Sequence, residues 1–314
     1  MKPHRTGPTV SVVIPTIGRA SLYEAVESAL NQSAPVHEVV IAADTVATLN
    51  LPEDSRIRVV RTGPASGSAN ARQCGVAEST GEVIALLDDD DLWHPFKLER
   101  QLDEIADLGD ALWVVTCRCA VRARGRKERI WPRNTIGEHQ SVAEYLFRLD
   151  GFTMGGGMMQ SSTLCFPRSL AATVPLNFAP DSIHDEPGWL MSLQDQVPDL
   201  TFRHVPECFS IYNISDDSVS NRNDDVSEDY IAWGRQNLKR TSARVRGDYY
   251  LFSAVTAAAS AGSLRSIRRA VRIGFTEGRP GAGAIVYAAA QFSRTAVQHA
   301  MTSLSSGAEV SRAS

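Results

Sequence analysis

The sequence predicts an α/β fold: a mostly parallel central sheet flanked by helices and followed by a helical C-terminal extension. Two patterns carry this expectation. Continuous apolar runs of strand length alternate with helically spaced segments, as in a parallel sheet covered on both faces. The charge of the chain also changes sign near its last quarter. With 314 residues, 43% hydrophobic and 22% charged, there is material for a sizeable core, which excludes a wholly disordered chain. The net charge of −4 conceals a division: from Arg235 onward twelve Lys/Arg face three Asp/Glu, so that segment carries +9 and residues 1–234 carry −13. Residues 1–225 are expected to form the sheet domain and 226–314 a basic helical extension with an anionic partner.

Val10–Ile14 is a β-branched run closed by Pro15, and Ser21–Asn31 follows with apolar residues at helical spacing. Val39–Ala43, Ile57–Val60 and Val83–Leu87 read as buried strands, with Ser68–Glu78 a helix between the last two. Functional loops then belong at the carboxyl ends of these strands. Trp93–Leu108 is amphipathic, Ala111–Val121 is a long strand followed by a basic turn through Arg129, and Ser141–Leu149 is a helix. The glycine-rich Gly151–Met159 is a loop. Thr163–Phe166 reads as a strand, Trp189–Leu193 as a short helix, and Thr201–Ile214 as an extended edge segment that tolerates Pro206. The polar, acidic Ser215–Asp229 leads into the helical tail.

Five cysteines at scattered spacings match neither a disulfide framework nor paired zinc ligands, which points to a reducing, cytoplasmic setting. Cys117 and Cys119 fall two apart in an apolar run and share one strand face. The N-terminus lacks a signal-peptide apolar core, and no window reaches the ~18 apolar residues of a spanning helix. The expectation is a soluble or peripherally membrane-associated protein.

The sharpest local feature is Ala85–Pro95, where an apolar strand runs into Asp88, Asp89, Asp90 and Asp91. Adjacent carboxylates near a strand end repel, and a hard divalent cation, Mn²⁺ or Mg²⁺, neutralises them through one or two oxygens plus substrate phosphates. The alternative is a solvated turn capping the following helix, a role that uses only one or two of the four acids. Gly67–Gly75 opens a helix and offers backbone donors and the Arg72 guanidinium to a phosphate, although an arginine on an exposed helix face is an equally ordinary reading. No dinucleotide fingerprint or Walker motif occurs.

Together these segments resemble glycosyltransferase family 2, the nucleotide-sugar transferases of the GT-A fold. Val10–Arg19 is similar to the family's opening strand and nucleotide loop, Asp44 matches its base-reading acid, Gly67–Gly75 its G-x-x-x-A-R-N-x-G segment with Gln73 for Asn, and Leu87–Pro95 its Asp-X-Asp signature. The resemblance covers about residues 9–220. It implies that Pro15, Thr16, Arg19 and Asp44 hold the base and Arg72 the diphosphate. Asp88 would serve the ribose side and Asp90 the metal, with Asp89 a further nucleotide-binding residue and Asp91 a further metal candidate. The implied activity is a metal-dependent, inverting transfer from a nucleoside diphosphate sugar, UDP-linked before dTDP-linked, to an unidentified acceptor hydroxyl. Such a transfer needs a carboxylate base. His184–Leu193 is similar to the family's Glu-Asp-x-x-Leu segment, with the acids reversed. Glu186 therefore falls on the base position and Asp185 supplies the usual residue type, and first-turn capping is the other use of such acids.

One departure stands out. Where the family often has Tyr-Arg-x-His-x-x-Ser, this chain has Tyr212–Ser218, with Asn213 and Ser215 in place of the basic and imidazole groups. His184, His204 or Asp216 are the compensating candidates. Gly155–Gly157 and Met158–Thr163 fall where the resemblance places the acceptor. Arg265, Arg268, Arg269 and Arg272 form one basic helical stripe, suited to a membrane surface or to plain solvent. A nucleotide-binding regulator and a nucleotidyltransferase are the competing classes. The −13 region argues against nucleic acid as a partner.

Overall fold

The computed structural model describes residues 7–138, 140–149, 151, 156–177, 183–214 and 224–310, with side chains through Met301. The chain separates into two units, residues 1–142 with 157–217 and residues 143–156 with 218–314.

The first unit opens with β1 Val10–Thr16, α1 Leu22–Leu30, β2 Glu38–Ala43, β3 Ile57–Arg61, α2 Ser68–Glu78 and β4 Val83–Leu86. It continues through β5 Leu92–Trp93, α3 Lys97–Glu104, β6 Trp113–Ala123 and β7 Arg129–Trp131. After α4 Val142–Phe147, which ends the segment, come a 3-10 turn at Ser161–Thr163, β8 Cys165–Pro167, α5 Arg168–Thr173, α6 Asp185–Gln196 and β9 Thr201–Ile214. The strands form one sheet in the order β3-β2-β1-β4-β8-β6-β9-β5, with β7 beside β6. The β3-β2-β1-β4 half is parallel, and so is the β6–β9 pair. The pairings of β8 with β4 and β6, β5 with β9, and β7 with β6 are antiparallel, so the sheet is mixed.

Val10, Val12 and Ile14 of β1 pack in one cluster with Leu22, Ala25, Val26 and Ala29 of α1. The next residue inward, Val13, faces α2 instead. A Cβ added at Gly75 would lie 2.5 Å from Val13 Cγ1 and 3.3 Å from Ala42 Cβ, so the helix rests directly on the sheet. β3 departs from the expectation of a buried strand. It is the sheet edge and its side chains are half-buried or exposed. Thr201–Ile214 is not simply an edge segment either, since β9 pairs with β6 along its length and with β5 at Ser210 and Ile211. Pro206 and Glu207 fall in a register shift between Val205 and Cys208, which removes the need for a ladder N–H from the proline.

At the start of β2, Glu38 is held by Ser11 Oγ (2.7 Å), by the Thr80 backbone N–H and hydroxyl (2.6 and 2.8 Å), and by Arg58 (3.1 Å). Burial raises its pKa, but these donors outweigh it and hold the carboxyl at about 2. A depressed folded pKa contributes stability above the unfolded value, and that contribution disappears as pH falls from about 4.5 to 2. Glu38→Gln is therefore expected to lower the melting temperature at pH 7 but not at pH 2, where the two proteins converge. An equal deficit at both pH values would refute this assignment.

The second unit contains α7 Ser227–Asn237, α8 Ala243–Tyr249, a π-turn Tyr250–Ala254, α9 Val255–Ser260, α10 Leu264–Glu277 and α11 Ala282–Val310. Residues 143–156 cluster here and not with the sheet domain expected to run from 1 to 225. The reason is long-range packing. Phe147 meets the rings of Trp233 and Tyr249 edge-on at 5.6 and 5.0 Å, and the Leu149 N–H donates to Asp248 at 3.0 Å.

Candidate active site

The carboxyl ends of β1, β2 and β4 bring the predicted loops together, as expected for an open parallel sheet. Thr16 and Arg19, at and just after the end of β1, reach the acidic run that follows β4. Thr16 Oγ1 donates to Asp89 Oδ2 at 2.5 Å and accepts from the Gly18 N–H at 2.8 Å, while Arg19 lies 2.5 Å from Asp89 and 3.6 Å from Asp90. Asp89 is thus almost fully buried and spans two loops. Pro15 remains within β1, paired with Ala42.

Asp44, one residue beyond β2, accepts from the backbone N–H groups of Ser66 and Gly67 at 2.8 and 2.9 Å. Burial opposes ionisation, but these two bonds hold its pKa below the ordinary carboxylate value. Gly67 has φ +85°, a conformation that glycine adopts without strain, and α2 starts at the next residue. The acid and helix start are therefore one connected loop, also tied to β1 by Asp44 N–H donating to Thr16 O at 2.8 Å.

One turn into α2, Arg72 is buried, with a side chain 9% exposed. It lies 2.7 Å from Asp88 and 3.6 Å from Glu186, whose side chains are 21% and 26% exposed. Burial would lower the guanidinium pKa, but Asp88 and Glu186 outweigh it and raise the pKa. Arg72 is consequently not a solvated helix arginine. It is a fixed positive charge between two carboxylates.

Asp91 differs from the ligand role implied by the resemblance. It is fully buried. One oxygen accepts from the Asn213 N–H at 2.9 Å and the other from Gln160 Nε2 and Ser162 Oγ, both at 2.7 Å. Both oxygens face protein donors, so it braces the turn. Burial and Asp88 push its pKa up. Asp90 stays partly exposed, and burial followed by Asp88 raises its pKa against the pull of Arg19. Asn213, the residue standing for a basic group, secures the same turn by donating from Nδ2 to Asp90 O at 2.6 Å.

Sequence reasoning missed the scaffold at Gln160–Thr163, which it read as acceptor loop. Gln160 Nε2 bonds Asp88 at 3.1 Å as well as Asp91, Ser162 Oγ accepts from the Asp88 N–H at 2.9 Å, and Ser161 Oγ donates to Glu186. A run of small polar residues carries no periodic signal that could have revealed this. Glu186 and Asp185 begin α6, whose buried Trp189 packs at a tilt against Phe166, with ring centroids 4.8 Å apart, and donates from Nε1 to Val174 O at 2.7 Å. Behind Arg72, Ser161, Asp185 and Glu186 lies a cavity of ≈ 10 Å³, room for about one water and too small for a sugar.

His204 stands in the β6–β9 ladder opposite Thr116, and burial lowers its pKa to about 4, as it does that of His184. Gly155, Ser215 and Asp216 lie outside the described residues. Cys117 and Cys165 are buried thiols with pKa values pushed up to about 11 and 12, which disfavours the thiolate and fits packing better than redox chemistry. Among the described residues no three His, Cys, Asp or Glu side chains form a self-sufficient metal cage.

A half-parallel mixed sheet with acids and an arginine at its strand ends defines the GT-A class of fold. The architecture is similar to that of S. aureus TarS in complex with UDP-GlcNAc, with a TM-score of 0.56 and 13% identity over 91% of each chain. Residues 11–165 match the model described as Glycosyl transferase family 2. It is 33% identical over 122 residues to the amylovoran biosynthesis glycosyltransferase AmsB of Erwinia amylovora, covering 38% of each protein. It is 34% identical over 99 residues to the Escherichia coli UDP-Glc:alpha-D-GlcNAc-diphosphoundecaprenol beta-1,3-glucosyltransferase WfaP, covering 30% of this chain and 39% of that one. The match thus spans about two fifths of the length of these relatives.

Proposed function

We propose that the protein is an inverting, metal-dependent glycosyltransferase that moves a sugar from a nucleoside diphosphate, UDP in first place, to an acceptor hydroxyl. The observation that carries this reading is Arg72, buried between Asp88 and Glu186 at the end of β4. It gives one site a fixed cation for a diphosphate and a carboxylate for a proton. The match to the family model and the UDP-glucose donor named for WfaP support the donor class.

In this reading the Ser66–Gly67 loop, organised by Asp44, borders the base, with Pro15, Thr16 and Arg19 beside it. Asp88 and Asp89 shape the ribose side. The acceptor oxygen bonds to the anomeric carbon as the bond to the diphosphate breaks on the opposite face, and the hydroxyl proton passes to Glu186. Arg72 then meets the charge that develops on the leaving group. Mn²⁺ or Mg²⁺ would supply further charge stabilisation when bound. The residues fit such an ion. Asp90 is a partly exposed carboxylate crowded by Asp88, and ions of this class typically use one or two carboxylates together with substrate phosphates.

The test is a donor panel read by sugar-dependent release of UDP, dTDP or GDP with Mn²⁺, Mg²⁺ or EDTA. UDP release that needs the ion and falls in Asp90→Ala is expected. Turnover unchanged in EDTA and in that variant rejects the metal assignment, while tight UDP binding without transfer to any acceptor favours a regulatory protein.

A further inference from the structure

We propose that the α10–α11 hairpin of the second unit is a docking face for an anionic lipid surface. This goes beyond the donor chemistry and does not rest on it. From Ala282 to Met301, α11 contains no acidic residue and only one arginine, Arg294. Its inner face is occupied by buried Ala284, Ala288 and Thr295, and the Tyr287 ring packs at a tilt against Phe252 at 4.9 Å. The outer face shows Ile285 at 39%, Val286 at 50%, Val297 at 58% and Met301 at 65% exposure. Water-facing helix surfaces are ordinarily charged, and this one carries apolar side chains over about four turns, broken by Ser293 and flanked by Arg294 and Gln298.

The neighbouring α10 supplies the charge. It runs antiparallel to α11: the Arg268 guanidinium lies 5.2 Å from the Phe292 ring, and His299 Nε2 is 2.6 Å from Gly262 O just before α10 begins. Arg265 and Arg272 lie one turn to either side of Arg268, and all three are exposed. Among the described residues no ion pair involves any of these three. Arg269, on the other flank, pairs with Glu228. An apolar face with arginines along its margin suits a bilayer interface, where the apolar residues enter the headgroup boundary and the guanidinium groups meet lipid phosphates. A second copy of the chain fits less well. An isologous contact through this face would oppose two cationic stripes with no acidic residue on the face to offset them. No described helix is long and apolar enough to cross a membrane.

The test is co-sedimentation of the full chain with vesicles of phosphatidylcholine plus phosphatidylglycerol, against phosphatidylcholine alone. Preferential binding to the anionic vesicles, weakened by salt, is expected. The triple variant Arg265→Gln, Arg268→Gln, Arg272→Gln should reduce partitioning by roughly tenfold or more. Val286→Glu with Val297→Glu should do the same, while Arg269→Gln, already paired, should change it far less. All substitutions are at exposed positions, and a retained cooperative melt certifies folding. Equal sedimentation with both vesicle types, indifference to the triple variant, or a stable dimer that binds no vesicles each overturns the proposal.

Discussion

Glu186→Gln is expected to lower kcat by roughly 10²- to 10⁴-fold while leaving UDP binding unchanged or slightly tighter. The amide keeps the size of the side chain and an oxygen for the Ser161 hydroxyl, but it cannot take the acceptor's proton. It also removes a negative charge 3.6 Å from Arg72, which leaves that guanidinium more available to a diphosphate. Single-turnover transfer and calorimetric UDP titration separate the two effects. Asp185→Asn should change kcat by less than about tenfold on the same reasoning about who receives the proton. If the two variants ranked the other way, Asp185 would be the base.

Arg72→Met should weaken UDP binding by about 2–5 kcal/mol, or roughly 30- to 4,000-fold in Kd. The substitution keeps the bulk against the sheet but leaves Asp88 and Glu186 as neighbouring carboxylates without their shared cation. Folding stability should fall as well, by about 1–3 kcal/mol, less than for a fully buried pair because both acids retain solvent contact. Arg72→Lys is expected to recover part of the stability and little of the affinity, since one ammonium cannot reproduce the planar fork. UDP titration together with thermal melting checks both. Full affinity in Arg72→Met would remove the diphosphate assignment.

What the sequence revealed depended on how local each determinant was. Most of the parallel half of the sheet could be read because β1, β2 and β4 are short, largely apolar runs. The arginine on α2 and the acids after β4 could be read because each motif sits within a few residues. Asp91 could not be separated from Asp90 this way. Its inward orientation is set by Gln160 and Asn213, 69 and 122 residues away. The same holds for residues 143–156, assigned to the sheet domain by position yet packed through Phe147 on aromatic residues of α7 and α8. β3 misled for another reason: a β-branched run does not say whether a further strand lies beside it.

The contact between Gly75 and Val13 has a consequence for how this site can vary. Arg72 precedes Gly75 by nearly one helical turn, so the height of the guanidinium above the strand ends is gauged by the absence of a methyl group. Any larger side chain at 75 would act as a wedge, lifting α2 and carrying Arg72 away from Asp88 although neither residue had changed. A change in the loops around the site leaves that spacing untouched, because it is held by the smallest residue on the helix.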